Sequence, residues 1–165
     1  MTLPRRLSAA ALACAAALTL STSPVAAQPA AAPPPGCTGT PSSTWINVVA
    51  QGLRSGSGLL AVTLYEDKPS KFLVRHGSLY VGRVNAEAGT TRMCIFVPKP
   101  GVYALALYHD ENGNRSFDRT GIGFPAEGFG FSNNPPTLAG LPSFRSVRLN
   151  IPRSGLTTRV QMKYP

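Results

Sequence analysis

The chain has 165 residues, with 16 Lys+Arg against 7 Asp+Glu, and is 43% hydrophobic but only 14% charged. That length fits one domain with or without a tail, and the low charge with ample apolar content excludes a disordered polyelectrolyte. Sixteen Gly and sixteen Pro argue against a helical bundle, while the net charge of +9 bears on association with acidic partners rather than on fold.

Arg5 and Arg6 open a basic segment, Leu7 to Leu20 is apolar, and Val25-Ala26-Ala27 ends a run of small residues. This order predicts a secretory signal peptide over residues 1–27, cleaved after Ala27. Its apolar run is shorter than the roughly 20 residues a membrane span requires. Ala11-Leu12-Ala13-Cys14 loosely fits a lipoprotein signal, but cleavage there leaves apolar Ala15 to Leu20 at the new terminus, so the secretory reading is preferred. No later segment reads as a transmembrane helix. The expected product is exported, in the periplasm or outside the cell.

Residues 28–43, rich in Pro, Ala and Ser, read as an extended linker. Residues 44–165 remain for one domain, enough for an independent core. With Cys14 in the signal, Cys37 and Cys94 are the remaining cysteines. An oxidising compartment predicts a disulfide between them, which would pin the linker to the domain; two free thiols are the alternative. No CxxC or adjacent His pair accompanies them, which argues against zinc.

From residue 44 onward the pattern is that of strands. Period-two or continuous apolar runs occur at Ile46-Asn47-Val48, Leu59 to Tyr65, Ser78 to Val84, Thr91 to Val97, Val102 to Tyr108, Val147 to Ile151 and Thr158 to Tyr164. Turn signals such as Ser55-Gly56-Ser57-Gly58 and Pro98-Lys99-Pro100-Gly101 separate them. The expected fold is all-β, a single antiparallel Ig-like or transthyretin-like sandwich of about seven strands. Residues 109–143 fit no strand, and loops of that length are usually functional or disordered.

That loop opens with His109-Asp110-Glu111-Asn112-Gly113-Asn114-Arg115-Ser116-Phe117-Asp118. Oxygen-bearing side chains at Asp110, Asn112, Asn114, Ser116 and Asp118 have the alternate spacing of Ca²⁺ loops, which curl six to eight oxygens round a hard cation. Two positions depart from that pattern. Arg115 stands where such loops turn on Gly, and Gly121 stands where they carry a bidentate Glu, a ligand Glu127 could supply by folding back. The competing reading is a connection of Asx turns with no ion. With so few carboxylates, Ca²⁺ affinity is expected near about 10⁻⁴–10⁻³ M.

Further on, Gly121 to Asn134 alternates glycine and phenylalanine. The residues either cap one end of the sandwich with a small core of their own, or form an aromatic ligand lip from Phe124, Phe129, Phe131 and Phe144, suited to sugar or peptide. The run Tyr103 to Asn114, then Gly123 to Asn134, then Pro142-Ser143-Phe144, resembles the exported bacterial family catalogued as domain of unknown function 2141. The resemblance spans residues 45–164 and is specific in 101–144. This chain has Arg115 where that family's pattern carries Gly, and Phe124 where it carries Ile. Membership implies a secreted or periplasmic bacterial protein of unassigned activity. The Pro100-to-Leu105 run also looks like the last strands of transthyretin-like and collagen-binding-B-type sandwiches, an analogy of fold only.

Catalysis is the least supported class. The histidines are His76 and His109, and no GxSxG, HExxH or phosphate-cradling loop is present. The scattered basic residues and the export signal argue against nucleic acid. The expectation is a non-catalytic accessory, binding or structural domain, steadied by Ca²⁺. The alternative is a basic module for an anionic envelope surface, lipid or wall polymer, through residues such as Arg145, Arg148, Arg159 and Lys163.

Overall fold

The computed structural model describes residues 32–137 and 141–165; the predicted signal peptide, with Cys14, lies outside the described residues. Eight strands follow one another: β1 (Thr44–Leu53), β2 (Leu59–Glu66), β3 (Tyr80–Asn85), β4 (Gly89–Val97), β5 (Gly101–Asp110), β6 (Gly128–Phe131), β7 (Arg148–Ile151) and β8 (Leu156–Gln161). They form a three-stranded sheet in the order β4-β1-β8 and a five-stranded sheet in the order β3-β2-β5-β6, in which β7 also pairs with β5. This is the expected β-sandwich. All pairings are antiparallel except that of β1 with β8, which is parallel.

Alternation along the strands decides which residues meet between the sheets. Ile46, Val48 and Ala50 of β1 face Leu60, Val62 and Leu64 of β2 and Leu105 and Leu107 of β5 in one buried cluster. Fully burying each such branched side chain contributes about 1.5–3 kcal/mol, so this layer supplies the main driving force. Val160 of β8 and Met162 just beyond it complete the cluster at one edge.

The five-stranded sheet is also covered on its outer face. Tyr65, Phe72, Ala104, Ala106, Phe129, Phe131 and Val147 form a second buried cluster, with Phe117 and Phe144 packed against it. Phe72 stacks edge-on against Tyr65 at 5.2 Å and Phe144 at 5.5 Å between ring centroids. The stretch expected to hold no strand therefore contributes β6, a four-residue strand of sequence GFGF, every residue of it buried. Its two Phe rings join the outer cluster, while its glycines face β8. A Cβ on Gly128 would lie 2.3 Å from the Tyr164 ring, and one on Gly130 would lie 2.6 Å from Val160 Cγ1. Main-chain bonds between Phe129 and Lys163, at 2.8 and 2.9 Å, stitch the two sheets together there.

Cys37 and Cys94 form the expected disulfide. Beside it, the Thr38 main-chain N–H donates to the Cys94 carbonyl and the Thr38 carbonyl accepts from Phe96, each at 2.9 Å. The described part of the Pro-rich segment is thus laid along β4.

Candidate functional site

β5 runs on to Asp110, two residues past its expected end, and carries that carboxylate into the fold at the start of the acidic turn. Asp110 is fully buried. Its Oδ2 accepts the Arg115 main-chain N–H at 2.7 Å, and its Oδ1 is buried with no hydrogen-bond partner. Glu127, immediately before β6, is 5% exposed. Its Oε2 accepts the Asp118 main-chain N–H at 3.1 Å, while Oε1 is likewise buried and unpartnered. Burial pushes the Glu127 carboxyl above the usual range, the nearby charges of Asp118 and Asp110 push it further up, and the main chain at Asp118 and, more weakly, at Glu111 opposes them.

Between these two carboxylates the chain closes consecutive Asx turns. Asn112 Oδ1 accepts the Asn114 N–H at 3.0 Å, and Asn114 Oδ1 accepts the Ser116 N–H at 2.8 Å. The Nδ2 groups of Asn112 and Asn114 donate to the Asp118 carboxylate at 2.8 to 3.1 Å. Arg115 adopts φ 64°, the left-handed conformation that glycine takes without strain; the backbone makes the sharp turn although the residue is arginine. Of the six predicted ion ligands, Asp110, Asn112, Asn114, Asp118 and Glu127 enter this network through their side chains, and Ser116 through its main chain. Among the described residues no group of three or more His, Cys, Asp or Glu could hold a metal ion. Any cation here would draw on buried carboxylates together with amide and main-chain oxygens, a set suited to a hard ion.

His109 is fully buried and both ring nitrogens are engaged. Nε2 lies 2.9 Å from the Ser57 carbonyl and Nδ1 2.7 Å from the Tyr164 hydroxyl. A carbonyl can only accept, so Nε2 carries a proton and donates it there. Beside it Glu111 is gripped by Arg54, whose Nε donates at 2.9 and 3.0 Å, and by Ser55 Oγ at 3.0 Å. The Arg54 guanidinium holds the Glu111 carboxyl below its usual range against the opposing effect of burial.

The second feature is a cavity of about 590 Å³ on the outer face of the five-stranded sheet. Its floor comprises Thr63, Ala106, Phe129 and Phe131. One wall is Leu73-Val74-Arg75, after β2; the other, with Phe117, Arg119 and Pro125, comes from the stretch between Asp110 and Glu127. Two of the four predicted lip aromatics, Phe129 and Phe131, line it. Phe144 is instead packed on Phe72, and Phe124 is 49% exposed and does not line it. The wall at 73–75 was not legible as a site, because Phe72-Leu73-Val74 reads as ordinary apolar sequence until topology places it opposite Phe117.

The C-terminal basic residues do not form one free patch. Arg148 is bidentate to Asp67, Nε to Oδ1 at 2.7 Å and Nη2 to Oδ2 at 2.5 Å, and Lys163 Nζ donates to the Pro135 carbonyl at 3.0 Å. Among the described residues no helix is long and apolar enough to cross a membrane.

No curated protein and no solved structure matches the chain. A family model described as "Uncharacterized protein conserved in bacteria (DUF2141)" matches residues 48–159. That span takes in both sheets, the acidic turn and all but a few residues of β1 and β8, and the chain belongs to this family.

Proposed function

We propose that the chain is an exported, non-catalytic binding domain whose acidic turn takes Ca²⁺ and thereby fixes one wall of the outer cavity. The observation that carries the reading is the pair of buried carboxylates, Asp110 and Glu127, each with one oxygen lacking a donor. A buried acceptor left unmatched costs about 1–3 kcal/mol, more when charged, so these positions suit a cation. Phe117, Arg119 and Pro125 lie between the two carboxylates in sequence and line the cavity. An ion joining Asp110 to Glu127 would therefore clamp the segment that bears them, and would perform no chemistry. The Cys37–Cys94 bridge supports an oxidising compartment, and the full engagement of His109 supports a structural rather than catalytic imidazole.

The test is thermal unfolding in millimolar Ca²⁺ and in chelator, with calorimetric titration of Ca²⁺. A higher melting temperature with Ca²⁺ and a dissociation constant near about 10⁻⁴–10⁻³ M are expected, and both effects should vanish in Asp110→Asn and Glu127→Gln. Identical melts in Ca²⁺ and chelator would overturn the ion. If Glu127→Gln then melts higher than the parent in chelator, a proton occupies that place instead.

A further inference from the structure

We infer that the outer-face cavity is a site for a single-chain amphiphile with an apolar body and one anionic head, of the long-chain carboxylate type. This names the ligand class for the binding reading above and stands independently of the ion. The volume, about 590 Å³, lies within the range of roughly 300–1,000 Å³ typical of small-molecule sites. A small residue on β5 opens the hollow: Ala106, paired with Thr63 on one side and Phe131 on the other, lines the cavity. Most of the lining is apolar, with Leu73, Val74, Ala106, Leu107, Phe129 and Phe131 among it, which suits a long apolar body better than a ligand bearing a hydroxyl on every carbon.

The mouth selects the head. Arg75 and Arg119 both line the cavity, and no Asp or Glu is among the described residues that do. Arg75 has no ion-pair or hydrogen-bond partner among the described residues. Arg119 spends one nitrogen on the Gly123 carbonyl at 2.9 Å and lies 5.2 Å over the Phe117 ring, which holds its guanidinium in place. Two arginines in the lining of a largely apolar chamber match a carboxylate, which a guanidinium binds in forked geometry.

The rim also keeps apolar surface in water. Leu73 is 39% exposed, Val74 48% and Leu141 54%. Leu73 sits at φ 56° and His76 at φ 58°, unusual conformations for residues other than glycine, and ones that concentrate at ligand clamps.

The test titrates the purified protein with dodecanoate, dodecanol and dodecyltrimethylammonium, each below its micelle concentration, in Ca²⁺ and again in chelator. Dodecanoate is expected to bind one to one, dodecanol at least tenfold more weakly, and the cationic amphiphile not measurably. The double variant Arg75→Gln/Arg119→Gln should lower dodecanoate to the level of dodecanol and leave dodecanol unchanged. Val74→Glu, at an exposed position that folding tolerates, should weaken both. Equal binding of carboxylate and cation, dodecanoate binding indifferent to these variants, or protein captured only by anionic lipid vesicles and not by free dodecanoate would overturn the proposal. Binding that persists in chelator while the melt ignores Ca²⁺ would sink the ion and leave the cavity assignment standing.

Discussion

The main-chain N–H of Arg115 lies 2.7 Å from Asp110 Oδ2, and Arg115 holds φ 64° to bring it there. A side chain with a Cβ costs about 1–2 kcal/mol in this conformation. The Arg115 carbonyl is also fixed, by the Tyr108 hydroxyl at 3.2 Å and Arg83 Nη2 at 3.3 Å, so main-chain bonds keep the turn whatever the residue.

Arg115→Gly should therefore stabilise the protein. Relief of strain exceeds the added unfolded-chain freedom of glycine, about 0.5–1 kcal/mol, leaving a gain near ~0.5–1 kcal/mol. Urea unfolding at neutral pH measures it; a loss of stability would show that the arginine side chain contributes more than its backbone costs.

Gly128→Ala and Gly130→Ala should both destabilise, by about 1–3 kcal/mol. The new methyl meets the Tyr164 ring at 2.3 Å in the first and Val160 Cγ1 at 2.6 Å in the second. Tyr164 also bonds His109, so Gly128→Ala should alter the tyrosine near-ultraviolet dichroism, whereas Gly130→Ala should leave that signal largely intact. Equal spectra for the two would contradict the packing described.

Replacing Cys37 and Cys94 together by serine should cost about 4 kcal/mol, the loop-closure figure for a sequence separation of 57. The Thr38 main-chain bonds to Cys94 and Phe96 remain available, so the folded end point should be unchanged. Denaturant midpoints for the oxidised and serine forms give the comparison.

The Asp67–Arg148 pair predicts an acid-side loss. Hydrogen bonding from Arg148 holds the Asp67 carboxyl below its usual 3.8, opposed by burial and aided by the Arg148 charge. Its contribution is present above the unfolded value and disappears as pH falls through the lowered folded value. Asp67→Asn should accordingly be less stable than the parent at pH 6, with the gap closing as pH falls below 3.8. Because the pair is exposed to solvent and to salt, the gap should be small and should shrink in 1 M NaCl.

Much of the sandwich was legible because its strands state their faces. Ile46, Val48 and Ala50 alternate with residues on the other side of β1, and Leu60, Val62 and Leu64 do the same in β2. β6 was not legible, since a Gly-Phe-Gly-Phe run reads as loop by composition. Its glycines are required by Tyr164 and Val160, which arrive from the far end of the chain. The acidic turn announced its oxygens by spacing, but nothing local told that Asp110 and Glu127 would both be buried with an oxygen to spare. The cavity was half visible, as Phe129 and Phe131. The wall at Leu73 to Arg75 and the cation at Arg119 depend on which loops the sheet order brings together.

The parallel pairing of β1 with β8 fixes which pole of the domain carries the acidic turn. Ile46 is opposite Leu156 and Gln51 opposite Gln161, so the chain enters beside the start of β8 and leaves beside the end of β1. Leu59, just past β1, is in turn paired with Asp110, which places the acidic turn at the exit pole. The segment upstream of β1 does not leave by the entry pole: Thr38 is bridged in parallel to Ile95 of β4, and Pro34, Pro35 and Gly36 share one hollow with Gln51 and Thr90, so the described N-terminal residues run back toward the pole that carries the acidic turn.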